Sequence, residues 1–328
     1  MRASRSFPGA VFWLALMFGI ARVAVCQSVA LQNTIAATPD VGVGAQYDST
    51  HVYVATEDFD HFVGSVVATF GGTTSKQVVL TVTAIASKTI SQMISTPVGM
   101  FSVFGYKTPV PYPFGTERAG YLVTDLDAAI GAARASGASV LVTPFKDPIG
   151  RDAIIQFPGG VNTQLYVHNT MPSYGPLKTI PENRVYVSLD SADAFIRSFL
   201  AFSHGRVVSS DEHAPGVEVG RPKDTYRRVR IESTFGKMTV LATDGHLPYP
   251  YGWETTGYEV ANLTGTLTKA KRAEVKILVA PYQVDRRQAA IVQFPRRLHR
   301  RDPFARSMSN SMVAGRNLKS RHDLVALS

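Results

Sequence analysis

The chain has 328 residues, 45% of them hydrophobic and 18% charged, enough to bury one large core or two medium ones. Its net charge of +9 sits at the ends: residues 1–30 carry +3 and residues 296–328 carry +6, which leaves 31–295 neutral. A neutral body has no electrostatic footprint for phosphate, so nucleic acid is excluded as an expected partner, and the basic tail reads as unstructured.

Arg2 and Arg5 precede an apolar run, Ala10–Ile20, that is too short to span a bilayer and fits a signal-peptide core. Ser28-Val29-Ala30 offers small residues for cleavage, so residues 1–30 are expected to direct export, periplasmic or secreted, with no membrane contact afterwards. The alternative is a lipoprotein anchored through Cys26, the sole cysteine, which excludes disulfides within the chain. Residues 27–46 read as an irregular lead-in.

From there the chain is written twice. Displaced by 137 positions, Pro111–Pro158 lies on Pro248–Pro295 without a gap and with 18 identities, where roughly three are expected by chance. A second ladder, displaced by 133, puts His51-Val-Tyr-Val on Arg184-Val-Tyr-Val. Two similar domains are expected, at 46–170 and 183–304, joined by a linker at 171–182 that holds three prolines.

Within the first domain, His51–Thr56 alternates as a strand, and Phe59–Phe70 places its apolar residues at helical spacing. Val78–Ala84 and Met100–Phe104 are strand-like. The pattern restarts with a strand at Gly120–Val123 and a helix at Leu126–Ser136 closed by Gly137. Strands follow at Ser139–Thr143, Ala153–Phe157 and Thr163–Val167, with Pro158-Gly159-Gly160 as the last turn. The second domain repeats this order, with helices near Ala192–Phe202 and Leu263–Arg272. The fold class is therefore α+β, built of paired strand–helix–three-strand units.

The phrases HVYVATEDFDHFVGSVVATFGG and GYLVTDLDAAIGAARASGASVLVTPFKDPIGRDAIIQFPGG, in this order, resemble the vicinal oxygen chelate superfamily. That group includes glyoxalase I, bleomycin- and fosfomycin-resistance proteins and extradiol dioxygenases. The resemblance covers both repeats, about three-quarters of the chain. It implies βαβββ units that close a curved sheet around a cleft, where a divalent metal (Fe, Mn, Zn or Ni) chelates two adjacent substrate oxygens. The ligands would come from the first strand of each unit and from the last strand of the second.

Carried over singly, those positions fall on His51, on Arg118, which stays protonated, and on Gln164, which brings an oxygen but no charge. In the second domain they fall on Arg184, Thr255 and Arg301. His51 and Gln164 are the candidate metal ligands, short of a two-histidine, one-carboxylate set. Arg118 suits a carboxylate or enolate ligand, or pairs with Glu117 or Asp125. Tyr53 and Tyr121 either line the cleft or pack the sheet.

Two functions follow from the resemblance. One is a metal-assisted lyase, isomerase or dioxygenase acting on a small oxygenated organic molecule. The other is a metal-free binding protein of the bleomycin-resistance type, which sequesters a small molecule. Its domains would pair with each other or in a homodimer.

The 137-residue ladder calls for Gly-Gly and a final strand after Pro295, but the sequence turns to RRLHRRDPF. One coding of this stretch, shifted by a base, reads Gly-Gly-Tyr-Ile-Ala-Glu, with the glutamate at Arg301. A frameshift after Pro295 is therefore expected, with the second domain lacking its last strand and residues 305–328 a disordered basic tail. Asp211, Glu212 and His213, near His204 and Glu218, look like a metal cluster but sit in an apparent polar loop. Arg228, Arg230 and Glu232 share a strand face that is either a surface ion ladder or a lining of the second cleft. His246 belongs to a turn. No nucleophile-elbow, phosphate-loop or dinucleotide fingerprint is present.

Overall fold

In the first repeat, each strand–helix–strand unit is set by its apolar spacing. The structure, a computed structural model, describes residues 40–295 and the backbone of 323–327. The signal-peptide and Cys26 readings, Arg301 and the stretch after Pro295 up to 322 lie outside the described residues.

The first unit is β1 (Asp48–Tyr53), α1 (Phe59–Phe70), two short strands β2 (Thr73–Thr74) and β3 (Val78–Leu80), β4 (Thr89–Thr96) and β5 (Gly99–Tyr106). α1 buries Phe59, Phe62, Val63 and Val66, the stripe that its spacing predicts. The second unit is β6 (Ala119–Leu122), α2 (Leu126–Ala135), β7 (Ser139–Lys146), β8 (Gly150–Phe157) and β9 (Val161–His168). Asp125 caps α2 by accepting from the Ala128 amide at 2.8 Å.

The second repeat follows with β10 (Glu182–Ser188), α3 (Leu189–Ser203), β11 (Arg206–Pro215), β12 (Thr225–Ser233) and β13 (Gly236–Thr243). Its last unit is β14 (Thr255–Val260), α4 (Leu263–Arg272), β15 (Lys276–Val284), β16 (Arg287–Gln293) and β17 (Asp323–Leu327). The cap recurs 137 positions on, where Asn262 accepts from the Gly265 amide at 2.8 Å. The Tyr112–Pro113 and Tyr249–Pro250 peptides are both cis, another mark of the repeat.

Two departures from the sequence reading concern strands. β4 carries little apolar alternation (TISQMIST) and escapes detection. The polar stretch around Asp211, Glu212 and His213 is no loop but β11, an edge strand whose polarity suits its solvent-facing position.

The first sheet runs β2-β4-β5-β1-β6-β9-β8-β7, with β3 beside β4; the second runs β11-β12-β13-β10-β14-β17-β16-β15. In the first, β1 is parallel to β5 and antiparallel to β6, and β6 is parallel to β9. β10 repeats these relations with β13 and β14. The fold is α+β, with paired βαβββ order throughout the first repeat.

The slot expected to be empty is filled. Residues 323–327, placed in the disordered tail by the sequence reading, form β17 between β14 and β16. The strand runs antiparallel to β14 and parallel to β16, the reverse of β9 between β6 and β8.

The outer, helix-bearing faces of the two sheets build two cores shared between the repeats. One joins α2, β6, β8 and β9 of the first repeat to α3, β12 and β13 of the second, through residues such as Phe157, Phe195, Phe199 and Phe202. The other joins α1, β4 and β5 to α4, β14 and β16 through Phe62, Phe101, Tyr258 and Phe294. The inner faces remain for the two clefts. Among the described residues no helix is long and apolar enough to cross a membrane.

Candidate functional site

Strand pleating sends alternate side chains to opposite faces, so register decides which residues meet in a cleft. β1 turns Ser49, His51 and Tyr53 inward. β6 pairs Gly120 with Ser49, and β9 pairs Gln164 with Gly120. The His51 amide donates to the Arg118 carbonyl at 2.8 Å, so Arg118 stands opposite His51 as the resemblance implies.

His51 is buried and lies across the bare backbone of Gly120: a Cβ there would stand 2.1 Å from its Nε2. The ring packs edge-on to Phe104, with centroids 5.2 Å apart. Its Nδ1 has no hydrogen-bond partner and stands 3.9 Å from Glu117 Oε1. Glu117 is fully buried and accepts a hydrogen bond from the Tyr53 hydroxyl. Gln164 donates its amide to Asp152 Oδ1 at 3.0 Å. Burial, and next the charge of Asp147, push the Asp152 carboxyl well up. Phe114, Tyr106 and Ile154 pack with Tyr53 and close this cleft from the side.

These residues do not make a chelating site. Among the described residues no group of three His, Cys, Asp or Glu could hold a metal ion. The one acid near His51 is already bonded to a tyrosine, and Gln164 turns its nitrogen toward a carboxylate. The donor set therefore does not fit a resident divalent metal.

The other candidates separate. Tyr53 lines the first cleft. Tyr121 does not: it pairs with Leu165 on the opposite face and stacks on Phe235 of the second repeat at 4.6 Å. One residue of offset from Gly120 is enough to turn it away. Asp125 is used as a helix cap, and Arg118 stands near Glu254, Tyr53 and Glu117; burial lowers its pKa and Glu254 chiefly opposes that.

In the second cleft the same positions carry a different chemistry. Arg184, in place of His51, is fully buried. It donates to Glu182 Oε1 at 2.9 Å and to Glu218 Oε1 at 3.0 Å. Thr255 lies opposite it in register. Glu218 also accepts from Tyr226 at 2.5 Å and from Arg228. Arg228 and Arg230 both reach Asp285, at 2.8 and 3.0 Å, and Arg287 stands 3.4 Å from Glu182. Arg228 is buried, so the surface ladder is ruled out for it: β12 turns Arg228 and Arg230 into the cleft.

Burial alone would raise the Glu182 and Glu218 carboxyls. Arg287 and Arg184 instead hold Glu182 well below the usual range, and Arg184 and Arg228 hold Glu218 at about 2. Both acids are ionised, and the guanidinium of Arg184 sits between them where the resemblance would place a metal.

At one end this network opens into a cavity of about 180 Å³. Arg230, Lys237 and Arg287 line it, with Glu182, Glu232 and Thr239. Arg287 Nη2 is buried without a hydrogen-bond partner, 3.8 Å from Glu218 Oε1. The sequence reading did not reach Glu182, Arg287 or Lys237. Glu117 had a signal, since the 137-residue ladder repeats it as Glu254.

No family model and no curated protein sequence matches the chain. Solved structures do. A triple mutant of 4-hydroxymandelate synthase from Streptomyces coelicolor is 12% identical over 76% of this chain and 87% of that one, with a TM-score of 0.47. A xylose isomerase-like TIM barrel/4-hydroxyphenylpyruvate dioxygenase fusion protein is 12% identical over 78% of this chain and 47% of that one, with a TM-score of 0.46. An uncharacterized protein from Methanosarcina mazei is 19% identical over 39% of this chain and 96% of that one, with a TM-score of 0.30.

Proposed function

We propose that this chain is a protein of the vicinal oxygen chelate type that binds a small anionic oxygenated molecule without a chelated metal. The observation that carries the reading is the second-cleft cavity lined by Arg230, Lys237 and Arg287, where Arg287 Nη2 makes no hydrogen bond and its nearest acid oxygen, Glu218 Oε1, is 3.8 Å away. A buried guanidinium nitrogen without an acceptor favours a carboxylate or enolate oxygen, which would accept charge-assisted hydrogen bonds from the fork. Glu182 and Glu232 on the same wall would select ligands that also bear a hydroxyl donor, as 2-hydroxy acids do. A cavity of about 180 Å³ suits a ligand of a few carbons.

The test is calorimetric titration of the full chain with small 2-hydroxy and 2-oxo carboxylates in the presence of a chelator. Saturable binding that weakens at least tenfold in Arg287→Ala supports the reading. Absence of binding to the whole panel, or binding indifferent to Arg287→Ala and Arg230→Ala, overturns it.

A second reading, a lyase, isomerase or dioxygenase working at the first cleft, draws on one observation: His51 Nδ1 is buried without a hydrogen bond, 3.9 Å from Glu117 Oε1, although the donors around it fall short of a metal site. Stoichiometric divalent metal that disappears in His51→Ala would favour it. Export directed by residues 1–30 completes the proposal, and the N-terminal sequence of the mature protein tests it.

A further inference from the structure

The two repeats close the same slot in different ways. In the first, β9 follows β8 through the turn at 158–160 and runs the full length of the slot, with eight paired positions against β8. In the second, the chain leaves β16 and returns only after 29 residues, 294–322, to supply five residues in the opposite sense. β17 pairs five positions with β14, Thr256 with Leu327 through Val260 with Asp323, and two with β16.

Three physical consequences follow. First, main-chain groups of β14 and β16 accept a strand whose direction differs from that of the covalently continuous β9, so continuity with β16 is no condition of entry. Second, without β17 two neighbouring strands in the middle of a sheet would each present a row of unpaired amides and carbonyls, a template for any extended segment. Third, the 29-residue connection reaches up to about 100 Å when extended, far more than the length of a five-residue strand. A second copy can compete, because it brings the same strand to the same slot.

We propose that the slot between β14 and β16 is a strand-accepting site, and that its occupant in trans is segment 323–327 of a second copy of this chain. The exchange uses the register seen here, and two chains that each lend β17 to the other form a closed, two-fold pair.

The probe is a labelled peptide of residues 321–328, and the receiver is the full chain carrying Val325→Pro. Proline lacks the amide that a central strand needs, so this change empties the slot of its own strand. Fluorescence anisotropy should show the Val325→Pro chain capturing the peptide at least tenfold more tightly than the parent chain. A peptide that itself carries the proline should not be captured. Equal capture by both chains, or none by either, overturns the proposal.

A readout on the unaltered protein guards against misfolding of the variant. Hydrogen exchange at β14 should be at least tenfold faster than at its counterpart β6, whose partner β9 is tethered by a tight turn. Equal protection of the two strands overturns the proposal. Crosslinking of mixed, differently tagged parent chains should yield hetero-tagged pairs through β17, and their absence at millimolar protein counts equally against it.

Discussion

Tyr121 and Tyr258, one repeat apart, cross the repeat boundary in opposite directions. The Tyr258 hydroxyl shares a hydrogen bond with Thr50 of β1, while Tyr121 accepts from Asn183 Nδ2 of β10 at 3.4 Å. Thr50 and Asn183 are themselves equivalent positions under the 133-residue displacement. Each ring stacks on a phenylalanine, Tyr258 on Phe101 at 5.0 Å and Tyr121 on Phe235 at 4.6 Å. Tyr258→Phe keeps the stack and strands a buried Thr50 hydroxyl, so it should cost about 1 kcal/mol, and Tyr258→Ala about 3–5 kcal/mol. Tyr121→Phe, which loses a longer bond, should cost less than Tyr258→Phe. Urea unfolding midpoints of the three variants check the order.

The same boundary makes stability depend on pH. Burial raises the Asp48 carboxyl to about 8, against the opposing hydrogen bond from Asn183. Burial likewise raises Glu254 to about 7, against the charge of Arg118. Between their ordinary values near 4 and these folded values, the native state binds more protons than the unfolded state, so stability falls as pH rises through that window. The slope from one such group is at most about 1.4 kcal/mol per pH unit. The chain should therefore unfold at lower urea at pH 8 than at pH 5. Asp48→Asn should flatten that dependence, and an unchanged slope in this variant would contradict the burial of an ionisable Asp48.

What could be read from the sequence was whatever the repeat or a regular period encodes. The limits of α1 follow from apolar spacing, and those of α4 from the repeat. Facing side chains were harder to place. Tyr121 sits one residue from Gly120, and that single step takes it from the cleft to the repeat boundary. The ionic filling of the second cleft joins Glu182, Arg184, Glu218, Arg228, Asp285 and Arg287 from β10, the segment after β11, β12, and β16 with its preceding turn. No local spacing links residues that only strand order brings together. β17 could not be foreseen because its reversed direction breaks the repeat that otherwise guides the reading.

In the first cleft, His51 and Gly120 form a matched pair of large and small. Gly120→Ala places a methyl carbon against the imidazole, which must move or unpack from Phe104. Overpacking of this kind costs about 1–3 kcal/mol. Removing the ring in a His51→Ala background should recover most of that loss. A double-mutant cycle by denaturant unfolding should thus give a coupling of about 1 kcal/mol or more, and additive effects would place the ring elsewhere.

Arg184 carries the opposite risk. Two buried carboxylates, Glu182 and Glu218, depend on its guanidinium. Breaking a buried pair from one side leaves uncompensated charge, so Arg184→Ala should destabilise the chain by about 3–5 kcal/mol at neutral pH. Glu218 is held at about 2 against an ordinary 4.5. Its favourable contribution is complete above 4.5 and fades as pH falls toward 2. The gap between the parent chain and Arg184→Ala should therefore narrow as the pH is lowered from 5 to 2. A constant gap in thermal or urea unfolding would mean that the carboxylates do not rely on Arg184.

The repeat also points to a place where the chain can be improved. Gly137 ends the turn after α2 at φ 92, in the left-handed region that glycine occupies freely. Its equivalent after α4 is Glu274, held at φ 61. A side chain in that region costs about 1–2 kcal/mol, and the exposed contact of Glu274 with His61, at 3.2 Å, offsets little of it. Glycine loses more freedom on folding, so Glu274→Gly should gain a net of about 0.5–1 kcal/mol. The expected result is a rise in the urea midpoint with an unchanged slope. A lower midpoint would show that the contact between His61 on α1 and the turn after α4 outweighs the backbone strain.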